Sequence, residues 1–130
     1  MTDERESGLR RILNFGHTVG HAIEAATGYT RWVHGQAVSL GIVAEARVAE
    51  RLGLADPRTT ERQLRLLGAV GLPVTGLGAP PAAIVEALSR DKKARDGRIP
   101  FVLAPKIGAF RLVFDVPTGT VRDVLEELAG

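Results

Sequence analysis

Two histidines stand four positions apart in the segment LNFGHTVGHAIE, which covers residues 13–24 and is otherwise mostly apolar or small. Because an α-helix advances about 100° per residue, His17 and His21 lie on the same side of a helix formed by this segment. The same narrow stripe holds further polar residues, which are Glu6, Arg10, Asn14 and Glu24. A surface helix ordinarily has a broad face of Lys and Glu. A thin stripe of Arg, Asn and His on an apolar helix therefore indicates a binding or catalytic site.

The histidines of the chain are candidate metal ligands. A pair at i and i+4 can bind one ion, but the zinc-protease motif also needs Glu directly after the first histidine, where this chain has Thr18. His34, in the segment WVHGQAV, stands at the predicted start of the second helix and can fold back towards the stripe. Three imidazole nitrogens suit zinc. The spacing leaves open whether two or all three of His17, His21 and His34 bind the ion.

Lys92 and Lys93 form a second candidate group, near the end of a predicted helix. A lysine pair in that position is either simply solvated or in contact with phosphate. The lysine ammonium is a compact charge for phosphate, and Arg10 adds a planar fork of donors. A site that combines Arg, Lys, Asn, His and a metal ion indicates a phosphorylated, oxygen-rich substrate.

The elements that must position these residues are mostly helices. Glycine, proline and capping residues predict helices over about residues 7–27, 34–53, 58–70, 81–94 and 120–128. Asp56 followed by Pro57 marks the start of the third helix, and Thr120 with Asp123 resembles a capping box that opens the last one. The segments RIPFVLA and AFRLVFDV are rich in β-branched and aromatic residues and predict a small hairpin joined by residues 105–108.

Composition indicates a globular protein of one domain, residues 1–130. With 17 Lys and Arg against 15 Asp and Glu, and no block of like charge, the sequence argues against a nucleic-acid partner. The absence of cysteine excludes disulfides and thiolate metal sites. No apolar stretch approaches the roughly 20 residues of a membrane span. Because the polar N-terminus is also no secretory signal, we expect a cytoplasmic protein without a membrane partner.

Three segments together resemble one known family. They are DERESGLRRILNFGHTVGHAIEAATGY, WVHGQAVSLG and RDKKARDG, and they resemble the C-terminal domain of the 3-dehydroquinate synthase family over essentially the whole chain. The resemblance implies a mainly α fold, the helical C-terminal domain of the dehydroquinate synthase-like fold, with a small β-hairpin near the C-terminus. It also implies an enzyme of the shikimate pathway that needs NAD and a divalent metal, zinc or cobalt. Family members convert 3-deoxy-D-arabino-heptulosonate 7-phosphate to 3-dehydroquinate and release phosphate.

The resemblance also implies roles for individual residues. His17 and His34 match the two metal-binding histidines, and His21 matches a residue beside the reacting groups rather than a ligand. Glu6 matches an acidic position near the metal site and is expected to share the catalytic role with His21. The expected contacts to substrate and phosphate come from Arg10, Asn14 and one lysine of the pair Lys92 and Lys93.

Two departures from the family pattern change the expectation for activity. Gln36 stands where the family commonly has the acid of HGEAV, and this change is expected to weaken metal binding. The chain also lacks the glycine-rich strand–turn–helix of an NAD-binding domain, which the family carries in its N-terminal half together with an acidic metal ligand. We therefore expect a chain that is inactive alone and holds metal weakly. Its expected partners are the N-terminal domain and, in the full enzyme, a second subunit of a homodimer.

Two other functions fit the same residues. Another sugar phosphate cyclase, such as a deoxy-inosose or valiolone synthase, would share metal, NAD and fold, although Arg10 and Asn14 with LNFGHT favour dehydroquinate synthase. A non-catalytic helical module for dimerisation or metal binding is the alternative outside the enzymes. It is compatible with the broad apolar surface of the first two predicted helices.

Overall fold

The computed structural model describes residues 17–28, 34–97, 101–106, 109–114 and 116–129. Within these residues the chain forms five helices and one two-stranded sheet, in the order α1 (His17–Ala26), α2 (His34–Arg51), α3 (Pro57–Ala69), α4 (Pro81–Ala94), β1 (Phe101–Lys106), β2 (Ala109–Val113) and α5 (Thr118–Ala129). The prediction of a mainly helical chain is confirmed for this part. None of the helices described is long and apolar enough to cross a membrane.

Helix α2 is the central element of the fold. It packs against α1, α3, α5 and β1, while α4 packs against α1 and α5. Every residue from 37 to 46 in α2 is buried. A helix that is covered on several sides needs small and apolar residues around its whole circumference, which explains the Ala, Gly and Val content of this segment.

One hydrophobic core joins the elements. Its fully buried side chains include one from each of α1, α2, α4, β1 and α5, namely Ile23, Leu40, Ile84, Leu103 and Leu125. Burial of a large aliphatic side chain stabilises a fold by about 1.5–3 kcal/mol. Because the contributing residues are spread from position 23 to position 125, the described part folds as one unit rather than as separate halves.

Local sequence signals set most helix ends. Helix α4 begins at Pro81 and ends at Ala94, as predicted, and α3 begins at Pro57 behind its cap. The Asp56 side chain accepts a hydrogen bond of 2.8 Å from the backbone N–H of Arg58. This bond lowers the pKa of the Asp56 carboxyl, because it stabilises the charged form. Helix α3 is followed by Gly71, whose φ of 81° is a conformation that favours glycine.

The predicted start of the last helix is wrong. The structure begins α5 at Thr118, so Thr120 already lies inside the helix and does not cap it with Asp123. The carbonyl oxygen of Pro117 instead accepts the backbone N–H groups of Thr120 at 3.1 Å and Val121 at 3.3 Å. Proline holds φ near the helical value, so a helix can start directly after it without a side-chain cap.

The predicted hairpin is present as a two-stranded antiparallel sheet. Phe101 of β1 lies opposite Val113 of β2, and Leu103 lies opposite Arg111, with a register shift between Leu103 and Lys106. Side chains alternate along a strand, so Phe101 and Leu103 share one face. Both are buried, and β1 packs on α2. The sheet therefore covers one side of α2 and contributes Phe101 and Leu103 to the core.

Thr60 in α3 has a buried hydroxyl group whose energetic cost can be measured. Its side chain is 1% exposed, and its hydroxyl oxygen has no hydrogen-bond partner among the described residues. A buried, unsatisfied polar group costs about 1–3 kcal/mol. We expect Thr60→Val, which keeps the shape and removes the hydroxyl, to raise the free energy of unfolding by about 1 kcal/mol.

Urea unfolding at neutral pH measures this change. The matched control is Thr59→Val at the neighbouring, partly exposed position of the same helix, which is expected to change the unfolding midpoint little. A loss of stability in Thr60→Val would show that the hydroxyl is hydrogen-bonded in solution.

Candidate metal and substrate site

The predicted site residues fall into two groups in the structure. Glu6, Arg10 and Asn14 lie outside the described residues, so their roles remain predictions. His17 and His34 are the first residues of α1 and α2. The two histidine positions therefore belong to helices that pack against each other.

Gly20 marks a close approach of α1 and α2. A Cβ atom added at Gly20 would lie 3.1 Å from the carbonyl oxygen of Ala37 and 3.1 Å from the Cα of Val38. His17 precedes Gly20 by three residues, and His34 precedes Ala37 by three residues. Cα atoms three residues apart on a helix are about 5 Å apart. Both histidine backbones thus lie within one helical turn of the same helix–helix contact.

His21 lies on the side of α1 away from the core. Its side chain is 60% exposed, whereas Val19 and Ile23 on the opposite side are fully buried. The Nδ1 atom of His21 is 3.7 Å from Oε1 of Glu24, whose side chain is only 12% exposed. This distance allows electrostatic attraction to a protonated imidazole but exceeds a hydrogen bond. His21 is thus accessible to a ligand while a carboxylate lies beside it.

The two lysines differ in their surroundings. Lys92 lines a small cavity of about 40 Å³ together with Val85 and Leu88 of its own helix, Phe101 of β1, and residues of α5. Lys93 follows one position later, which turns it by about 100° on the helix and away from the buried face. Both lysines are exposed in the last turn of α4. Of the two, Lys92 is therefore the one on the side of α4 that lines this cavity.

The donor set fits part of a metal site. Neutral imidazole is a common ligand for zinc and cobalt, and His17 and His34 are the family-matched positions. A catalytic zinc site has three protein ligands. The residues that the structure describes include no group of three or more His, Cys, Asp or Glu side chains that could hold an ion. A metal site that includes His17 and His34 would therefore need at least one ligand from outside the described residues.

Two features of this region were not predicted. Glu24 lies on the predicted polar stripe without a predicted contact, although its i, i+3 spacing from His21 was a usable signal. The close contact of Gly20 was not predictable, because nothing in the local sequence distinguishes a glycine that contacts a neighbouring backbone from the other glycines of the chain.

The fold is that of the C-terminal domain of sugar phosphate cyclases. It is similar to 2-epi-5-epi-valiolone synthase from Streptomyces hygroscopicus, solved with NAD⁺ and Zn²⁺, with a TM-score of 0.78 and 28% identity over 89% of this chain and 32% of that one. It is also similar to 2-deoxy-scyllo-inosose synthase complexed with carbaglucose-6-phosphate, NAD⁺ and Co²⁺, with a TM-score of 0.75 and 27% identity over 87% of this chain and 32% of that one.

Sequence comparison defines the family more narrowly. Residues 1–94 match the family described as 3-dehydroquinate synthase C-terminal, and the chain belongs to that family. The 3-dehydroquinate synthase of Synechococcus sp. is 46% identical over 129 residues, covering 98% of this chain and 35% of that protein. The 3-dehydroquinate synthase of Caldanaerobacter subterraneus is 50% identical over 111 residues, covering 85% of this chain and 31% of that protein. The chain thus spans about a third of the length of these curated relatives.

Proposed function

We propose that this chain forms the metal- and substrate-binding part of a 3-dehydroquinate synthase. The reaction converts 3-deoxy-D-arabino-heptulosonate 7-phosphate to 3-dehydroquinate and phosphate, in the shikimate pathway. The observation that carries the proposal is the contact of α1 and α2 at Gly20, one turn after both His17 and His34. Family membership supports the same assignment.

The proposed roles follow from position and exposure. His17 and His34 would hold a divalent metal, zinc or cobalt. These are the ions named for the two similar structures. When bound there, the metal would supply Lewis-acid polarisation of a substrate hydroxyl, and NAD held by the rest of the enzyme would supply reversible hydride transfer. The exposed His21 contacts the reacting part of the substrate, and the carboxyl group of Glu24 lies beside its imidazole. Glu6 shares the catalytic role.

Lys92 is proposed as the lysine that contacts phosphate. Lys92 lies on the side of α4 that lines the cavity with Phe101, and this position supports the choice. Lys93 is directed away from the buried face. Arg10 and Asn14 are proposed to complete the contacts to the phosphorylated sugar acid.

The remaining parts of the enzyme lie outside this chain in the proposal. The family's N-terminal half would supply NAD and the acidic ligand that completes the metal site, and two full subunits would form a homodimer. This arrangement is supported by the share of the curated relatives that the chain covers, about a third. The cytoplasmic location stays a prediction from the sequence.

Another sugar phosphate cyclase activity is the second candidate. Two solved cyclases share the fold, at 27% and 28% identity. The 3-dehydroquinate synthases from Synechococcus and Caldanaerobacter share 46% and 50%. The higher identity supports the heptulosonate phosphate as substrate.

A chimera tests the proposal. This chain replaces the matching C-terminal part of the Synechococcus enzyme, and phosphate release is measured with NAD and Zn²⁺ present. We expect release from the heptulosonate phosphate by the chimera, and none above buffer by the isolated chain, because the N-terminal part supplies NAD and a metal ligand in the proposal. Glucose 6-phosphate, whose carba analogue occupies 2-deoxy-scyllo-inosose synthase, is the comparison substrate.

Three outcomes decide between the alternatives. A chimera that folds and binds NAD but is inert with both substrates supports a non-catalytic module and contradicts the proposal. Preference for glucose 6-phosphate supports the second cyclase activity. Phosphate release by the pure chain would show that the site is complete without the other part. The N-terminal part of the Synechococcus enzyme alone serves as the control for background activity.

A further inference from the structure

We propose that Gly20 is a positioning residue for the metal ion. The absence of a side chain there lets α1 and α2 approach closely enough for His17 and His34 to share one ion. This inference rests on the proposed function, because it assumes that these two histidines bind the metal.

The contact at Gly20 is too tight for a side chain unless one of the two helices shifts. An added Cβ would meet three backbone atoms of α2, with the carbonyl oxygen of Ala37 and the Cα of Val38 at 3.1 Å and the carbonyl carbon of Ala37 at 3.3 Å. Ordinary van der Waals contact for a Cβ begins at 3.4 Å. Backbone atoms cannot rotate away as a flexible side chain does. The segment of α2 that they belong to, residues 37–46, is buried throughout and cannot shift alone.

The backbone conformation gives no other reason for glycine at this position. Gly20 lies inside α1 and is not among the described glycines with positive φ, such as Gly28 and Gly53. Glycine in a helix interior lowers helix stability relative to alanine. The close approach of α2 therefore accounts for a residue that the helix alone would disfavour.

The same contact determines how far apart the two ligand positions are. His17 and His34 each lie three residues before the contact residue of their own helix, at about 5 Å between Cα atoms. An alanine at position 20 forces α1 and α2 apart by a few tenths of an ångström. Metal–ligand distances in functional sites are held to within about 0.2 Å. The displacement is therefore large enough to weaken a site whose two ligands come from the two helices.

Cobalt titration of the metal-free chimera tests this role, because the chimera holds both parts of the proposed site. The chain itself has no cysteine, so its own ligands add nitrogen and oxygen bands to the visible Co²⁺ spectrum and no thiolate absorption. We expect Gly20→Ala to bind Co²⁺ about tenfold more weakly and with altered bands, as for changes to groups that orient metal ligands. The matched control is Gly35→Ala, next to His34, where an added Cβ would meet no atom within 4 Å and affinity is expected to stay within twofold.

A second control separates positioning from loss of stability. Leu125→Ala removes a fully buried side chain of α5 and lowers the unfolding temperature. Its Co²⁺ affinity is expected to equal that of the parent at a temperature where both are folded. An equal loss of affinity in Leu125→Ala and Gly20→Ala, or an unchanged affinity in Gly20→Ala, overturns the positioning role.

The outcomes for this inference and for the proposed function are distinguishable. A parent chimera that binds no Co²⁺, or that binds it equally well after His17→Ala and His34→Ala, overturns the metal site and the inference with it. Binding that depends on both histidines but not on Gly20 overturns the inference alone. If Gly20→Ala does not fold, the double variant His17→Cys/His34→Cys tests whether the two ligand positions lie close together. A short bifunctional maleimide is expected to join its two thiols within the folded chain, and failure to join them contradicts convergence at this contact.

Discussion

Replacing His34 by alanine in the chimera is expected to lower the rate of phosphate release by roughly 10³-fold, and His17→Ala is expected to do the same. Polarisation of the substrate by the metal contributes several kcal/mol, and each 1.36 kcal/mol corresponds to a tenfold change in rate. Both variants are also expected to lose bound zinc, which is measured by elemental analysis after gel filtration. Their positions at the starts of α1 and α2, beside the same helix contact, are the basis of this expectation.

His21→Ala is the informative comparison for the two ligand variants. Removal of a residue that acts on the reacting groups lowers the rate by about 10²–10⁴-fold without removing the metal. We therefore expect His21→Ala to be slow but to retain its zinc, since the imidazole is exposed and lies beside Glu24. Loss of zinc in His21→Ala with retention in His34→Ala would instead support metal binding by the i, i+4 pair of α1.

Replacing Lys92 by alanine is expected to lower kcat/KM for the phosphorylated substrate by about 10–100-fold. The basis is the loss of a hydrogen bond to a charged group, about 1.5–3 kcal/mol. Lys93→Ala is the matched control, one residue away on the same helix with the same charge, and it is expected to change kcat/KM less than twofold. The difference between them comes from the cavity that Lys92 lines together with Phe101.

The measurement is the initial rate of phosphate release by the chimera at varied substrate concentration. Inorganic phosphate as a competitive inhibitor gives a second readout, because its inhibition constant should rise in Lys92→Ala and stay constant in Lys93→Ala. The opposite order of effects would assign the phosphate contact to Lys93. Equal, small effects would show that the pair is only solvated.

Much of the fold was predictable because its signals are local. The starts of α4 and α3 depend on prolines, and the start of α3 also depends on the Asp56 cap, whose hydrogen bond lies within three residues. The start of α5 was not predicted, because the capping-box pattern at Thr120 is weaker than the effect of Pro117 before it. The hairpin was predictable from its β-branched and aromatic residues, but its register shift was not.

The candidate site was predictable in its residue types and less so in its geometry. The alignment of His17 with His21 follows from helical periodicity, and the resemblance to a family with two metal-binding histidines added His34. The exposure of His21 and its distance to Glu24 depend on which side of α1 packs against α2 and α4. That side is determined by contacts along the whole chain.

The sequence by itself determined where helices form and which of their residues carry chemistry, because propensity, capping and periodicity act over a few neighbouring positions. Only the tertiary structure decided which glycine is in close contact with a neighbouring helix. It also decided which of the two adjacent lysines lines a cavity. Gly20 is distinguished by the backbone of Ala37 and Val38, and Lys92 by a cavity that includes Phe101. These distinctions arise from contacts between residues that are far apart in the sequence. Such residues become neighbours only when the core packs.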